Sequence, residues 1–186
     1  MTVLETDRLI LRPFDLADAG RIARFAADPD VARMVASWPL EMCPAVAEGW
    51  VLIRQARRAT GVEKGAIFAI ELPGEGLIGT IGAGPDKQGA MSIGYWLGRP
   101  YWGKGYATEA LRAVVKLAEG LGQGPVTAGY FIDNPASGRV LEKAGFSPTG
   151  EERAYFSLGR KGPAISREMV YTGALANARE GLGAAA

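Results

Sequence analysis

The chain has 186 residues, 48% of them apolar and 22% charged, which suits one globular domain and leaves no room for a second of full size. Lys and Arg number 21 against 20 Asp and Glu, so no net field draws the chain to nucleic acid or to an anionic membrane surface. With no histidine and a single cysteine, Cys43, it lacks Ser-His-Asp and Cys-His nucleophile pairs, an intrachain disulfide and the commonest metal ligand.

DRLILRP, residues 7 to 13, is rich in Leu and Ile and predicts a buried first strand closed by Pro13. Asp15 is the expected N-cap of a helix carrying Leu16, Ala19, Ile22, Ala23 and Ala26 through residue 27, and a second helical piece runs from Pro29 to about Val35. Pro39 separates it from a helix over Pro44 to Ala59, expected to bury Val46, Trp50, Ile53 and Ala56 and to turn Arg54, Arg57 and Arg58 to solvent. The period then changes. AIFAIEL and LIGTIGA flank the hairpin signal PGEG, and the turn GPDKQG leads into MSIGYWL, which together predict three antiparallel strands. Residues 106 to 121 form a helix with Ala107, Ala110, Leu111, Val114, Ala118 and Leu121 on one face, broken by GQGP. The strand VTAGYFI follows, then a short helix opened by Asn134-Pro135 and closed at Ala144-Gly145-Phe146. Strands at about 149 to 158 and 164 to 172 make a hairpin around LGRKGP, and GALANAREGLGAAA reads as a frayed tail, so the domain is expected over residues 1–172.

The fold class is therefore α/β (α+β): a mixed, mostly antiparallel sheet of about seven strands flanked by about four helices. One strand-helix-strand crossover, residues 91 to 132, sets a parallel neighbour between the fourth and fifth strands. Where those two strands splay, a crevice opens at their carboxyl ends, and small ligands bind in such crevices. No apolar run reaches the roughly 18 residues of a membrane span. MTVLETDRLILRPF has no basic stretch followed by an apolar one, which suits a cytosolic chain. Cys43 precedes Pro44 at a helix start but has no histidine to activate it.

The run GRPYWGKGYAT, residues 98 to 108, joins strand MSIGYWL to the long helix. Gly103 and Gly105 permit a tight turn whose N–H groups, from Trp102 to about Ala107, converge at a helix N-terminus, an arrangement that holds phosphate. Gly98, Gly103 and Lys104 match the start of the nucleotide motif GxxxxGK[ST], and Ile132-Asp133 could supply a magnesium-holding acid. Gly105, however, stands where that motif needs a hydroxyl for Mg²⁺, which disfavours a nucleotide hydrolase. The alternative is a diphosphate gripped without metal.

LETDRLILRPF (4 to 14), YWLGRPYWGKGYATEAL (95 to 111) and NPASGRVLEKAGF (134 to 146), in this order and spacing, resemble the GNAT superfamily of acyl-CoA-dependent N-acetyltransferases. Within it they resemble the Rim-type branch, which acetylates ribosomal-protein N-termini. The resemblance implies acetyl-CoA as cosubstrate with no metal, its diphosphate held at Trp102, Gly103, Lys104, Gly105, Tyr106, Ala107 and Thr108. The family pattern [QR]-x-x-G-x-[GA] puts Pro100 at its first position, a departure that removes one donor. The pantetheine arm is implied between the strands ending at Leu97 and Ile132, with backbone near Leu97 polarising the thioester oxygen. Losing such a contact costs other enzymes about 3 kcal/mol. Asn134 and Ser137 would touch the arm and the thiol end. Both also fit plain helix-start roles, as N-cap and third helical residue. Ser137 is the candidate for serving the leaving thiolate.

Many members carry a Tyr acid in an LYEKxGF motif; here VLEKAGF has Leu141 followed by Glu142 and Lys143. Rim-type members share that absence and are thought to use Ser with a nearby carboxylate or water. After Gly-Phe the acids are Glu151 and Glu152, then none until Glu168, and Glu152 is the candidate base. An α-amine of pKa near 8 is about one-tenth neutral at pH 7, whereas a Lys amine is neutral in about one molecule in 2,500, a gap of roughly 3.3 kcal/mol. A site short of strong bases therefore suits a peptide N-terminus or another low-pKa amine. Acceptor contacts are expected from Met34, Trp38 and Met42 and from the hairpin residues Tyr155, Arg160 and Lys161. The family likeness also suggests a homodimer, and a CoA-binding module without transfer activity is the main rival reading.

Overall fold

The computed structural model describes residues 2–38, 42–62, 65–86, 89–121 and 124–173. The elements are β1 (Leu4–Glu5), β2 (Ile10–Arg12), α1 (Ala19–Ala26), α2 (Pro29–Ala32), α3 (Pro44–Ala59), β3 (Ala66–Leu72), β4 (Gly76–Pro85) and β5 (Met91–Leu97). After them come α4 (Tyr106–Leu121), β6 (Val126–Phe131), α5 (Pro135–Lys143), β7 (Phe146–Ser157) and β8 (Gly162–Tyr171). The strands form one eight-stranded sheet in the order β1-β2-β3-β4-β5-β6-β8-β7. Every pairing is antiparallel except β5 with β6.

That parallel pairing is short, covering Met91 with Val126, Ser92 with Thr127 and Ile93 with Ala128. Beyond it β5 stays on β4 through Leu97, while β6 stays on β8 through Phe131, so the sheet opens from Gly94 and Gly129 onward. Alternation along β5 assigns the two faces of the opening. Tyr95 points to α5, where its hydroxyl meets Ser137, and Trp96 points the other way onto Trp38, which contacts Trp50 of α3. Helix α4 lies alongside α5, tied by an Arg112 bond to the Lys143 carbonyl, and buries Ala110, Leu111, Val114, Val115 and Ala118.

Three expectations need correction. The strand expected over residues 7 to 13 is the shorter β2, and β1 is an additional strand ahead of it, the two joined by a turn in which Thr6 N–H donates to Leu9 O and Thr6 Oγ1 accepts from Leu9 N–H. The sheet therefore has eight strands, and the splay lies between the fifth and sixth. Helix α3 buries Ala47 and Val51, with Trp50 partly covered, while Val46 and Ile53 remain 47% and 53% exposed. Apolar residues surround that helix on more than one side, so periodicity alone did not select the face, and small Ala47 admits the closest approach. Arg54 and Arg58 are partly buried rather than turned to solvent. Strand β7 begins at Phe146 and carries an irregularity between Pro148 and Glu152, at the positive φ of Gly150. Asp15 caps as expected, accepting from Ala17 N–H, and buried Asp18 returns a bond to Asp15 N–H while holding Arg12 at 2.7 and 2.8 Å. Pro39, parts of two turns and most of the tail lie outside the described residues, among which no helix is long and apolar enough to cross a membrane.

Candidate active site

A 3-10 turn, Arg99–Tyr101, leads from β5 into the glycine-bearing loop. Tyr101 anchors it from below: its hydroxyl donates to Glu75 and accepts from Arg21, and its ring stands edge-on to Phe25. Gly103 at φ +73° and Gly105 at φ +84° then reverse the chain through left-handed backbone, where a side chain costs about 1–2 kcal/mol. Helix α4 starts immediately afterwards. Its first residues, Tyr106, Ala107 and Thr108, have N–H groups with no intrahelical acceptor, and Glu109 N–H is the first to find one, Gly105 O at 3.1 Å. The macrodipole adds positive potential at the same place.

The loop is also held from outside by a segment about a hundred residues earlier. Arg8 donates to the Lys104 carbonyl at 3.1 Å, forks onto Glu109 at 2.7 and 2.6 Å, and lies 4.6 Å over the Tyr106 ring. Thr6 Oγ1 and Arg8 N–H donate to the other Glu109 oxygen at 2.7 and 2.8 Å. Burial pushes the Glu109 carboxyl up, yet these bonds and the Arg8 charge outweigh it and hold its pKa below the ordinary value. The carboxylate is thus a fixed, ionised peg on which the loop hangs.

A cavity of about 1310 Å³ runs from this turn through the splay to the far face of the sheet. Trp102, Gly103, Gly105, Ala107 and Thr108 line its one end, Leu97, Asn134 and Ser137 its waist, and Met34, Trp38, Met42 and Tyr155 its other end. Arg139 and Lys143 on α5 add positive charge to the wall. The side chains of Lys104 and Tyr106 stay outside the cavity, the Lys104 ammonium lying 5.8 Å over the Tyr101 ring and the Tyr106 ring under Arg8. At the waist, Gly98 N–H bonds to Ile78 O at 2.9 Å, so alternation sends the Leu97 N–H and C=O away from β4 and into the gap. The carbonyl is taken by Trp102 Nε1 at 2.7 Å, and the N–H faces the opening. Asn134 Oδ1 accepts from Ser137 N–H at 3.2 Å, which confirms the cap and leaves the amide NH₂ to the cavity.

Ser137 Oγ lies 2.9 Å from the Tyr95 hydroxyl, a pair the sequence reading did not find. Burial pushes the Tyr95 phenol up to about 12, with the Ser137 bond partly opposing, so at neutral pH it is a firm proton-bearing donor. The candidate carboxylate Glu152 lies elsewhere: it is exposed, paired with Arg167 at 3.0 Å and absent from the cavity lining. Of the expected acceptor residues, Arg160 is committed to Asp133 at 2.8 Å and to the Arg33 carbonyl at 2.7 Å, and Lys161 occupies a positive-φ turn outside the lining. Asp133, the acid a nucleotide hydrolase would aim at Mg²⁺, is held down to about 2 by its bonds from Arg160 and then Arg33.

The turn, the waist and the far end thus collect most of the residues singled out from sequence, while Arg8, Glu109, Tyr95, Arg139 and Lys143 are additions. Comparison with known proteins gives these findings. A family model described as an acetyltransferase (GNAT) domain matches residues 8–147. YoaA of Bacillus subtilis, described as an uncharacterized N-acetyltransferase, is 34% identical over 157 residues, covering 82% of this chain and 87% of its own. The structure of a ribosomal-protein-S5-alanine acetyltransferase from Vibrio fischeri superposes with a TM-score of 0.71 at 20% identity, covering 92% of this chain and 98% of that one. The microcin C7 self-immunity acetyltransferase MccE, solved with acetyl-CoA and AMP, superposes with a TM-score of 0.74 at 16% identity, covering 88% and 92%. At such identities these two likenesses speak for the fold.

Proposed function

The chain belongs to the GNAT acetyltransferase family and is an acyl-CoA-dependent N-acetyltransferase; from that premise we propose that it passes the acetyl group of acetyl-CoA directly to a primary amine in a ternary complex, with a protein or peptide α-amine as the preferred acceptor. The observation that carries this reading is the continuity of one cavity from the amide-bearing turn at Gly103 and Gly105 to Ser137 at the splay.

The N–H groups of Gly103 to Thr108 bind the diphosphate, and Arg139 and Lys143 favour the anionic coenzyme. Asn134 meets the pantetheine arm in the splay. The Leu97 N–H, aimed into the gap, donates to the thioester oxygen and stabilises the charge that develops there. Tyr95 donates to Ser137, which orients the serine hydroxyl toward the departing sulfur. The amine attacks the carbonyl carbon, the C–S bond breaks, and the sulfur leaves with a proton relayed by Ser137 or water. No covalent acyl-enzyme is needed.

The Rim-type resemblance of the three motifs supports an α-amine acceptor. A small-molecule amine is the second reading, supported by the continuation of the cavity past Ser137 to Met34, Trp38 and Met42. Thiol release measured with acetyl-CoA and a panel of amines, peptides with free N-termini set beside lysine peptides blocked at the N-terminus and small polyamines, separates these. No release with any amine, in a protein that binds acetyl-CoA, would make it a binding module instead.

A further inference from the structure

On the sheet face that carries Trp96, opposite α5, one row of residues crosses the strands at the point where the splay begins. Gly82 of β4 pairs with Gly94 of β5; Gly94 and Gly129 are the first residues past the parallel ladder; and Gly129 of β6 pairs with Glu168 of β8. Three successive positions therefore have no side chain, and a trough runs over bare backbone to end at a carboxylate. All four residues line the cavity. The room at Gly129 is used: a Cβ built there would stand 2.6 Å from Ser166 Oγ and 3.1 Å from Glu168 Oε1, so these two groups lean across the glycine toward the splay. Glu168 Oε1 is buried without a hydrogen-bond partner in the protein. A buried carboxylate oxygen left unpaired is costly, and such an orphan at the end of an open trough marks a place where a ligand donor belongs.

We propose that Glu168 receives the ammonium group of the acceptor, which lies as a slender chain across Gly94 and Gly129, and that Glu168 takes the proton whose loss makes the amine nucleophilic. This rests on the acetyltransferase reading above. The ammonium gives one proton to Glu168; the freed lone pair forms the N–C bond to the thioester carbon; the C–S bond breaks. The sulfur takes the remaining surplus N–H proton through Ser137 or water, and Glu168 returns its own to solvent. Acceptor and coenzyme then meet from opposite faces of the sheet, with Ser137 serving the sulfur and Glu168 the nitrogen. The charged and titratable groups facing Glu168 are Arg153 and Tyr155 of β7, whose ionisations it influences.

The test compares wild type with Glu168→Gln and Glu168→Asp, using acetyl-CoA with a tetra-alanine amide bearing a free N-terminus, and also acetyl-CoA hydrolysis without acceptor, where water takes the amine's place. Glu168→Gln should lower both rates about 100-fold or more, the scale of a lost general base, with the acetyl-CoA-induced rise in Tm unchanged. Glu168→Asp should recover part of the loss, and Gly94→Ala, whose added methyl narrows the trough without touching another atom, should raise KM for the peptide without moving KM for acetyl-CoA. If Glu168→Gln keeps both rates within about threefold, in a range a general base would exceed, the assignment of Glu168 is overturned and the transferase reading stands. If wild type releases no thiol under either condition while binding acetyl-CoA, the transferase reading itself fails and this proposal with it.

Discussion

Replacing Tyr106 by Pro and, separately, by Ala isolates a single peptide N–H of the turn. Both substitutions remove the ring under Arg8, which is worth about 0.5–1 kcal/mol at an exposed position. Only Pro removes the donor, and Tyr106 is the first residue of α4, where proline is well tolerated because that N–H has no intrahelical partner. Without ligand the two variants should therefore melt within a few degrees of each other. A hydrogen bond from an amide to a charged phosphate is worth about 1.5–3 kcal/mol, so the Pro variant should bind acetyl-CoA roughly 10- to 150-fold more weakly than the Ala variant. At a concentration of 100 times the wild-type Kd, the ligand adds about 2.7 kcal/mol, and a 30-fold weaker site retains about 0.9. At about 2–4 °C per kcal/mol the shift in Tm should fall from roughly 5–11 °C to about 2–4 °C. Calorimetric titration without metal gives the same ratio independently. Equal affinities in the two variants would refute the reasoning, because the loop would then hold its ligand by something other than backbone nitrogen.

Further outcomes follow from the same geometry. Ser137→Ala should lower turnover about 10- to 100-fold with acetyl-CoA binding nearly unchanged; Tyr95→Phe should lower it less, and the double variant should match the worse single, since the two hydroxyls act as a unit. Steady-state kinetics over the four proteins checks this. Arg8→Met should weaken acetyl-CoA binding about fivefold, corresponding to about 1 kcal/mol for a pair whose arginine is 47% exposed, without contacting the ligand. Asp133, held at about 2 in the fold, has an ordinary value near 3.9 when unfolded, so its contribution is complete above about pH 4 and disappears as pH falls toward 2. Urea unfolding at pH 5 and pH 2.5 should thus show wild type losing more stability over that interval than Asp133→Asn, by a modest margin because the group is half exposed.

Sequence pattern carried α4, β3 and β5 to within a residue of their bounds, because their apolar periods are clean and Gly or Pro punctuates both ends. It failed where local pattern has no say. Nothing in the chain order joins Arg8 to Glu109, 101 residues apart, and the peg that fixes the loop exists only once β2 is laid beside β3. The face of α3 depended on which of several apolar stripes met α1. Glu152 stands out in the sequence by following closely on the Gly-Phe pair, whereas strand parity decides: Glu152 pairs with Arg167 on the opposite side of the hairpin from Ser166 and Glu168. Glycines 94 and 129 look unremarkable singly in a strand pattern and acquire meaning only when the register sets them side by side at the splay.

Titration of ¹⁵N-labelled protein with acetyl-CoA in the absence of divalent cations goes straight to the site. The amides of Gly103, Gly105, Tyr106, Ala107 and Thr108 should move most, and together, with the Leu97 amide shifting as the thioester seats. Unmoved signals at these positions, with the changes gathered on another part of the chain or appearing only once Mg²⁺ is added, would contradict the account.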